Sequence, residues 1–361
     1  MSTETLTPPS AADAGASTRI AAAWRRAASR RGASWIVALV LGAVLAAMVW
    51  LQMHSQDEAD SRDRDTRLRL VAGTLNGAFD NAGKFALSLA EATARRPDVV
   101  EALAAGDRGR LQVLSQGPYD YLSRQAGVQI YGYHTMDLRY LLRMHRLDAF
   151  GDDISGFRPM IVAANRGRRA QTGFEIGIAG LGIRGVALVD RGGASAAPGG
   201  GSGNSDRQPV GTMEVGLDVR PILDLVKAST NTDIAVVIAP SMVGVALDPK
   251  LPRFGDLVLA LSTDDDLFAA MLKTTRPRAL RDVEVDTREI EGRRFSMLSQ
   301  PLVDFSGRQV GMTIALEEMA NTRGRLRTEL IVTALCGGIL AWVVFAVLFR
   351  HALAVVHRSR R

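Results

Sequence analysis

Two apolar runs bracket almost the whole chain, Trp35 to Gln52 near the start and Leu330 to Phe349 near the end. Each holds about twenty residues, and at a helical rise of about 1.5 Å per residue each can cross a hydrocarbon core of about 30 Å. Whatever folds in water must therefore be built from the roughly 275 residues between them. Arginines flank the outer sides of both runs: Arg19, Arg25, Arg26, Arg30 and Arg31 before the first, and Arg350, Arg358, Arg360 and Arg361 after the second. No Lys or Arg follows the first run until Arg62. Positive charge stays on the cytoplasmic side, so both termini are expected in the cytoplasm and the middle outside it. A cleaved signal peptide competes for the first run, but the run is longer than a signal core and a long polar and basic stretch precedes it, which favours an anchor.

The net charge of +6 sits largely in those flanking arginines, which serve topology and lipid headgroups, so the lipid bilayer is an expected partner and nucleic acid is not. Cys336, inside the second run, is the only cysteine. The exported part therefore has no disulfide and must hold together by its core.

Along the chain, 1–32 is expected as a disordered cytoplasmic tail, 33–53 as the first transmembrane helix and 54–126 as a long helix with a helical lead-in. Leu68, Val71, Leu75, Phe79, Ala82, Phe85 and Leu89 recur at spacings of three and four, one stripe of an amphipathic helix that packs on its own domain, on a second copy, or on both. Pro97 suits the first turn of a shorter helix and Gly106 its stop, while Gly117 and Pro118 predict a break between two further helices. From Gly127 the period becomes two: 127–134, 172–178, 183–189 and 210–219 read as strands, followed by a helix at 221–228 and strands at 233–239, 295–303 and 310–316. The Gly- and Ser-rich segment 191–209 is either a long loop between paired strands or a domain linker.

The run Arg143 to Arg158, then Gly173 to Gly177 with Gly182 to Gly185, then Gly211 to Gly216, resembles the membrane-distal half of the double-Cache sensory domains of bacterial chemoreceptors and sensor kinases. Pro301 to Gly307, followed by Val310 and Gly311, is similar to the closing hairpin of the membrane-proximal half. The resemblance covers roughly 55–320. It implies an α+β fold of two stacked Cache (PAS-like) modules with a long N-terminal helix, flanked by the two transmembrane helices: a distal module at 127–228, a proximal module at 229–320, the second membrane helix at 329–349 and a short cytoplasmic tail at 350–361. It further implies a two-pass protein of the bacterial inner membrane, a homodimer and a small-molecule ligand bound in the distal module. Receptors of this kind continue into an output domain, so a chain ending at Arg361 is expected to signal through a separate cytoplasmic protein; a non-signalling, ligand-binding or ligand-presenting membrane protein is the alternative.

Strand alternation singles out the same module independently. Glu175, Arg184 and Glu214 each oppose apolar neighbours on their own strand, so adjacent strands would align them as a charged ladder on one face. Such a ladder is either a set of cross-strand salt bridges or a pocket in which a fixed arginine grips a carboxylate while an acid holds an amine or hydroxyl. Tyr131, Tyr133, Arg143 and Arg158 are the other expected walls. In the pocket reading, Arg184→Ala abolishes binding and leaves the fold intact. His134 and His145 with Asp152 and Asp153 lack the tight spacing of a metal site, and Asp152 and Asp153 after Gly151 read more simply as a turn or cap. With no nucleophile elbow, P-loop or zinc-helix motif, neither an enzyme nor a cofactor is expected.

Overall fold

The computed structural model describes residues 11–177, 180–191, 208–243, 247–274 and 282–319 with parts of 328–350, giving only the backbone over 11–41. Asp63–Met319 form one compact unit, and Met1–Arg62 with Ala320–Arg361 the other. Helix α1 runs Ala11–Ala94. Residues 11–32, expected as a disordered tail, are thus helical; alanine, the strongest helix former, dominates them. Among the described residues no helix is long and apolar enough to cross a membrane. The side chains of 35–41 and several residues of 330–349 lie outside the described ones, so both expected spans are covered only in part.

Two short helices follow α1 in the larger unit, α2 Pro97–Ala104 and α3 Arg108–Gln125. The break expected at Gly117 and Pro118 does not occur, and Pro118 sits inside α3. Proline removes the N–H that would bond the carbonyl four residues back. That carbonyl, Leu114 O, instead accepts from Arg96 Nη1 at 3.4 Å.

The distal sheet comprises β1 Val128–Thr135, β2 Tyr140–Arg143, β3 Gln171–Gly177, β4 Gly180–Arg191 and β5 Gln208–Leu217, with α4 Pro159–Gly167 between β2 and β3. Its order is β2-β1-β5-β4-β3 and every pair is antiparallel. Arg191 lies opposite Gln208, so the Gly- and Ser-rich segment joins two paired strands; 192–207 itself lies outside the described residues.

The proximal sheet adds α5 Arg220–Thr230, β6 Asp233–Ile238, α6 Pro240–Val243, β7 Arg253–Phe254, β8 Leu257–Ser262, α7 Asp265–Thr274, β9 Glu284–Ile290, β10 Arg293–Val303 and β11 Gln309–Glu318. Its strand order is β7-β8-β6-β11-β10-β9. Helix α5, expected with the distal strands, buries Leu223 and Val226 in the core that holds Ile234 and Val236 of β6.

The α1 stripe serves both sheets. Leu68, Val71, Leu75 and Phe79 enter a core shared with Ile176, Ile183, Leu298 and Val310. Beyond Ala82 the buried apolar side chains are Ala86, Ala90 and Ala94, while Phe85, expected on the stripe, is 44 % exposed. The reason is proximity: a Cβ on Gly185 of β4 would lie 2.2 Å from the Leu87 nitrogen, so α1 rests directly on the strand's backbone and only small residues fit between.

Candidate functional site

The side of the distal sheet away from α1 holds a cluster of buried charges. Adjacent strands β3, β4 and β5 carry Glu175, Arg184 and Glu214, and α4 is preceded by Arg158. All four are buried, between 0 % and 6 % exposed. Glycines make the room: Glu175 lies opposite Gly182, Arg184 between Gly173 and Gly216, and Glu214 opposite Gly132.

The two arginines grip both carboxylates. Arg158 Nε donates to Glu175 Oε2 at 3.0 Å, its Nη2 pairs with Glu214 Oε1, and Arg184 Nη1 donates to Glu214 Oε1 at 2.8 Å. Glu175 Oε1 also accepts from the Met160 backbone N–H at 2.9 Å, at the first turn of α4, where a helix favours negative charge. Arg184 Nε lies 3.4 Å from Glu175 Oε2, within ion-pair range, yet has no aligned hydrogen-bond partner. Burial pushes the Glu214 carboxyl up, but Arg158 and Arg184 outweigh it and hold the group well below the usual carboxylate range.

His134 and Tyr140 complete the cluster. The Tyr140 hydroxyl donates to Glu214 Oε2 at 3.3 Å, and the two rings meet edge to face with centroids 4.3 Å apart. His134 Nδ1 is 3.0 Å from Thr212 Oγ1, while Nε2 lies 3.6 Å from Glu214 Oε2 without a hydrogen bond. Burial depresses the His134 pKa to about 3, so the ring is neutral at physiological pH. Two positive and two negative side chains around a neutral imidazole leave the cluster balanced.

The expected ladder of Glu175, Arg184 and Glu214 is therefore assembled, and Arg158 joins it. Tyr131 and Tyr133 are not walls of this site. Alternation turns both to the helix side of the sheet, where Tyr131 Oη meets Thr93 Oγ1 at 3.0 Å and Tyr133 Oη meets Ser115 Oγ at 2.8 Å. Arg143 reaches the margin: it holds Asp152 through two bonds of 2.6 and 2.7 Å and stacks on Tyr140, 3.6 Å from the ring centre. Asp153 accepts from the Ser155 N–H at 2.9 Å, the turn role expected of it. Sequence reasoning missed Tyr140, although Gly132 was an available signal: a Cβ there would stand 2.5 Å from the Tyr140 hydroxyl. Arg184→Ala, expected to spare the fold, takes from Glu214 one of its two buried arginine partners and leaves it only Arg158, a loss of about 3–5 kcal/mol. The cavity bordering Glu175 measures about 20 Å³, room for little more than one water, and is lined also by Pro159, Ile176, Phe305 and Arg308.

A family described as a double sensory domain of two-component sensor kinases matches residues 64–314. The chain belongs to this double-Cache family. The two sheets and the long α1 are consistent with that fold. Among solved structures, the periplasmic domain of Vibrio cholerae LuxQ is similar at 11 % identity and TM-score 0.40, over 69 % of this chain and 99 % of that one. The sensor domain of the V. cholerae histidine kinase DctB is similar at 10 % identity and TM-score 0.42, over 74 % and 100 %. The ligand-binding domain of the Campylobacter jejuni chemoreceptor Tlp3, in complex with L-valine, is similar at 11 % identity and TM-score 0.40, over 72 % and 93 %. No curated protein matches the chain.

Proposed function

We propose that this double-Cache domain is an extracytoplasmic small-molecule sensor, anchored in the bacterial inner membrane by 35–52 and 330–349, and that the buried cluster is its ligand-recognition centre in a closed form. The observation that carries the reading is the cradle around Glu175. Arg158, the Arg184 guanidinium and the Met160 N–H converge on that one carboxylate, with Arg184 Nε still lacking an aligned partner. A ligand carboxylate that displaced Glu175 would find those donors already placed. Because the cluster is balanced, a ligand bearing both a carboxylate and an amine exchanges partners without leaving buried charge unpaired, the amine taking the released acid. The four charges already pair with one another, so a ligand that takes a place among them requires α4 and the segment before it to move outward. A second copy of the chain and a cytoplasmic signalling protein are the proposed partners on either side of that motion.

The test is thermal shift of the unit spanning 63–319 with amino acids, organic acids, amines and purines. Zwitterionic or carboxylate ligands at about 100 times their Kd are expected to add about 2.7 kcal/mol of stability. Arg184→Lys, which keeps the charge but loses the planar fork, is expected to weaken that response while the unit stays folded. Stabilisation by none of the four classes would sink the reading.

A further inference from the structure

Strand β3 belongs to two places at once. On one face Phe174 and Ile176 enter the core that holds Leu298, Leu302 and Val310 of the proximal module, and Phe174 meets Phe79 of α1 edge to face at 4.8 Å. On the other face Glu175, between them, faces the arginines of the distal cluster. The turn joining β10 to β11, residues 304–307, docks on this strand: the Phe305 N–H donates to Phe174 O at 2.9 Å. Gly173 lets it come close, with φ of 137° and with the position of a Cβ only 3.1 Å from Phe305 Cα.

The turn itself is stiff. Asp304 accepts from Ser306 N at 2.8 Å, Ser306 Oγ at 2.6 Å, Arg308 N at 3.1 Å and Arg308 Nη2 at 2.9 Å, and Gly307 N bonds back to Asp304 O at 2.9 Å. The Phe305 ring packs against the patch of Tyr140, Ile154 and Met160 that covers the cluster. A rigid turn from one module thus rests one peptide away from the glutamate of the other.

We propose that the Phe174–Phe305 backbone contact is the mechanical link between modules: movement of Glu175 is carried through β3 to the β10–β11 turn and into the proximal sheet. It rests on the reading of the cluster as the responsive site, but its test needs no ligand. The link runs through the main chain of Phe305, not through its ring. Phe305 is the second residue of a four-residue turn, a position that favours proline. Phe305→Pro therefore removes the N–H while keeping the turn, whereas Phe305→Ala removes the ring and keeps the N–H.

The experiment is hydrogen–deuterium exchange on the full chain in lipid nanodiscs, with Glu175→Gln as the perturbation. That substitution is expected to speed amide exchange by about threefold or more both in α4 and in β11, in the unsubstituted and Phe305→Ala backgrounds. In Phe305→Pro the acceleration in α4 should persist and that in β11 should be lost. Gly173→Ala, which forces the turn off β3 by a different route, should give the same loss. Unchanged exchange in α7 identifies folded variants. Acceleration of β11 in Phe305→Pro and Gly173→Ala equal to that in Phe305→Ala, or none in β11 in any background, would overturn the link. Ligand binding by the unsubstituted chain is scored separately, so failure to bind would end the sensor reading and leave the exchange result standing.

Discussion

Arg184 on β4 and Glu214 on β5 meet diagonally across neighbouring strands, Nη1 to Oε1 at 2.8 Å, with side chains only 3 % and 0 % exposed. Neither group reaches water, so each depends on the other and on Arg158 and Glu175 for its charge.

Glu214→Gln leaves two guanidinium groups facing one carboxylate in a dry site. The expected loss is about 3–5 kcal/mol in urea unfolding of the 63–319 unit, far beyond the ~1 kcal/mol ceiling of an exposed pair. A loss below about 1 kcal/mol would show that water enters the cluster.

Stability should fall on acidification, and His134 sets part of the slope. Its pKa is lowered from 6.5 to about 3 on folding, so between those values the unfolded chain binds the extra proton and folding weakens as pH drops. Glu214, held below its ordinary range, acts in the same direction: its contribution is present above the unfolded value of 4.5 and lost as pH falls below it. Between pH 6 and 5 the imidazole alone contributes up to about 1.4 kcal/mol per pH unit. Unfolding free energies at stepped pH should show that slope added to one of the same sign from His145, whose pKa burial lowers to about 4, and His134→Gln should remove only the His134 share.

Gly185→Ala puts a methyl group into the α1 backbone. Expected destabilisation is about 1–3 kcal/mol or more, read from the urea midpoint, because the obstacle is main chain and cannot rotate away. Gly117→Ala, on the exposed side of α3 with no atom within 4 Å of the new Cβ, is the matched control and should not destabilise.

Tyr133→Phe tests the corrected placement of the tyrosines. Losing the bond to Ser115 should cost about 1 kcal/mol and leave any ligand response unchanged, since the ring lies on the helix side of the sheet. A changed response would return Tyr133 to the site.

Several strands were legible in advance. β1, β3, β5, β6 and β11 stand within about two residues of where the sequence put them, because apolar and β-branched runs of this length bounded by turn residues mark strands even where both faces are buried. The charges of Glu175, Arg184 and Glu214 were legible because each opposes apolar neighbours on its own strand. Other features were not. Tyr131 and Tyr133 are polar-tipped aromatics at alternate positions, and nothing local says which face of the sheet is theirs. Leu114 O, which Pro118 leaves without its helical donor, accepts instead from Arg96, eighteen positions before it. Phe85 is spaced to continue the buried stripe, yet Gly185, on a strand about a hundred residues later in the chain, leaves space only for alanine.

Sequence by itself determined the places of several strands, the long apolar stripe of α1 and the presence of paired charges opposite apolar neighbours, since those follow from local patterning and side-chain chemistry. Tertiary structure decided that the charges close on one another, that β3 shares its two faces between two modules, and that the Phe305 turn rests beside Glu175. Each of those depends on distances between residues far apart in the chain, set by the backbone approaches that glycines permit, and no local pattern encodes them.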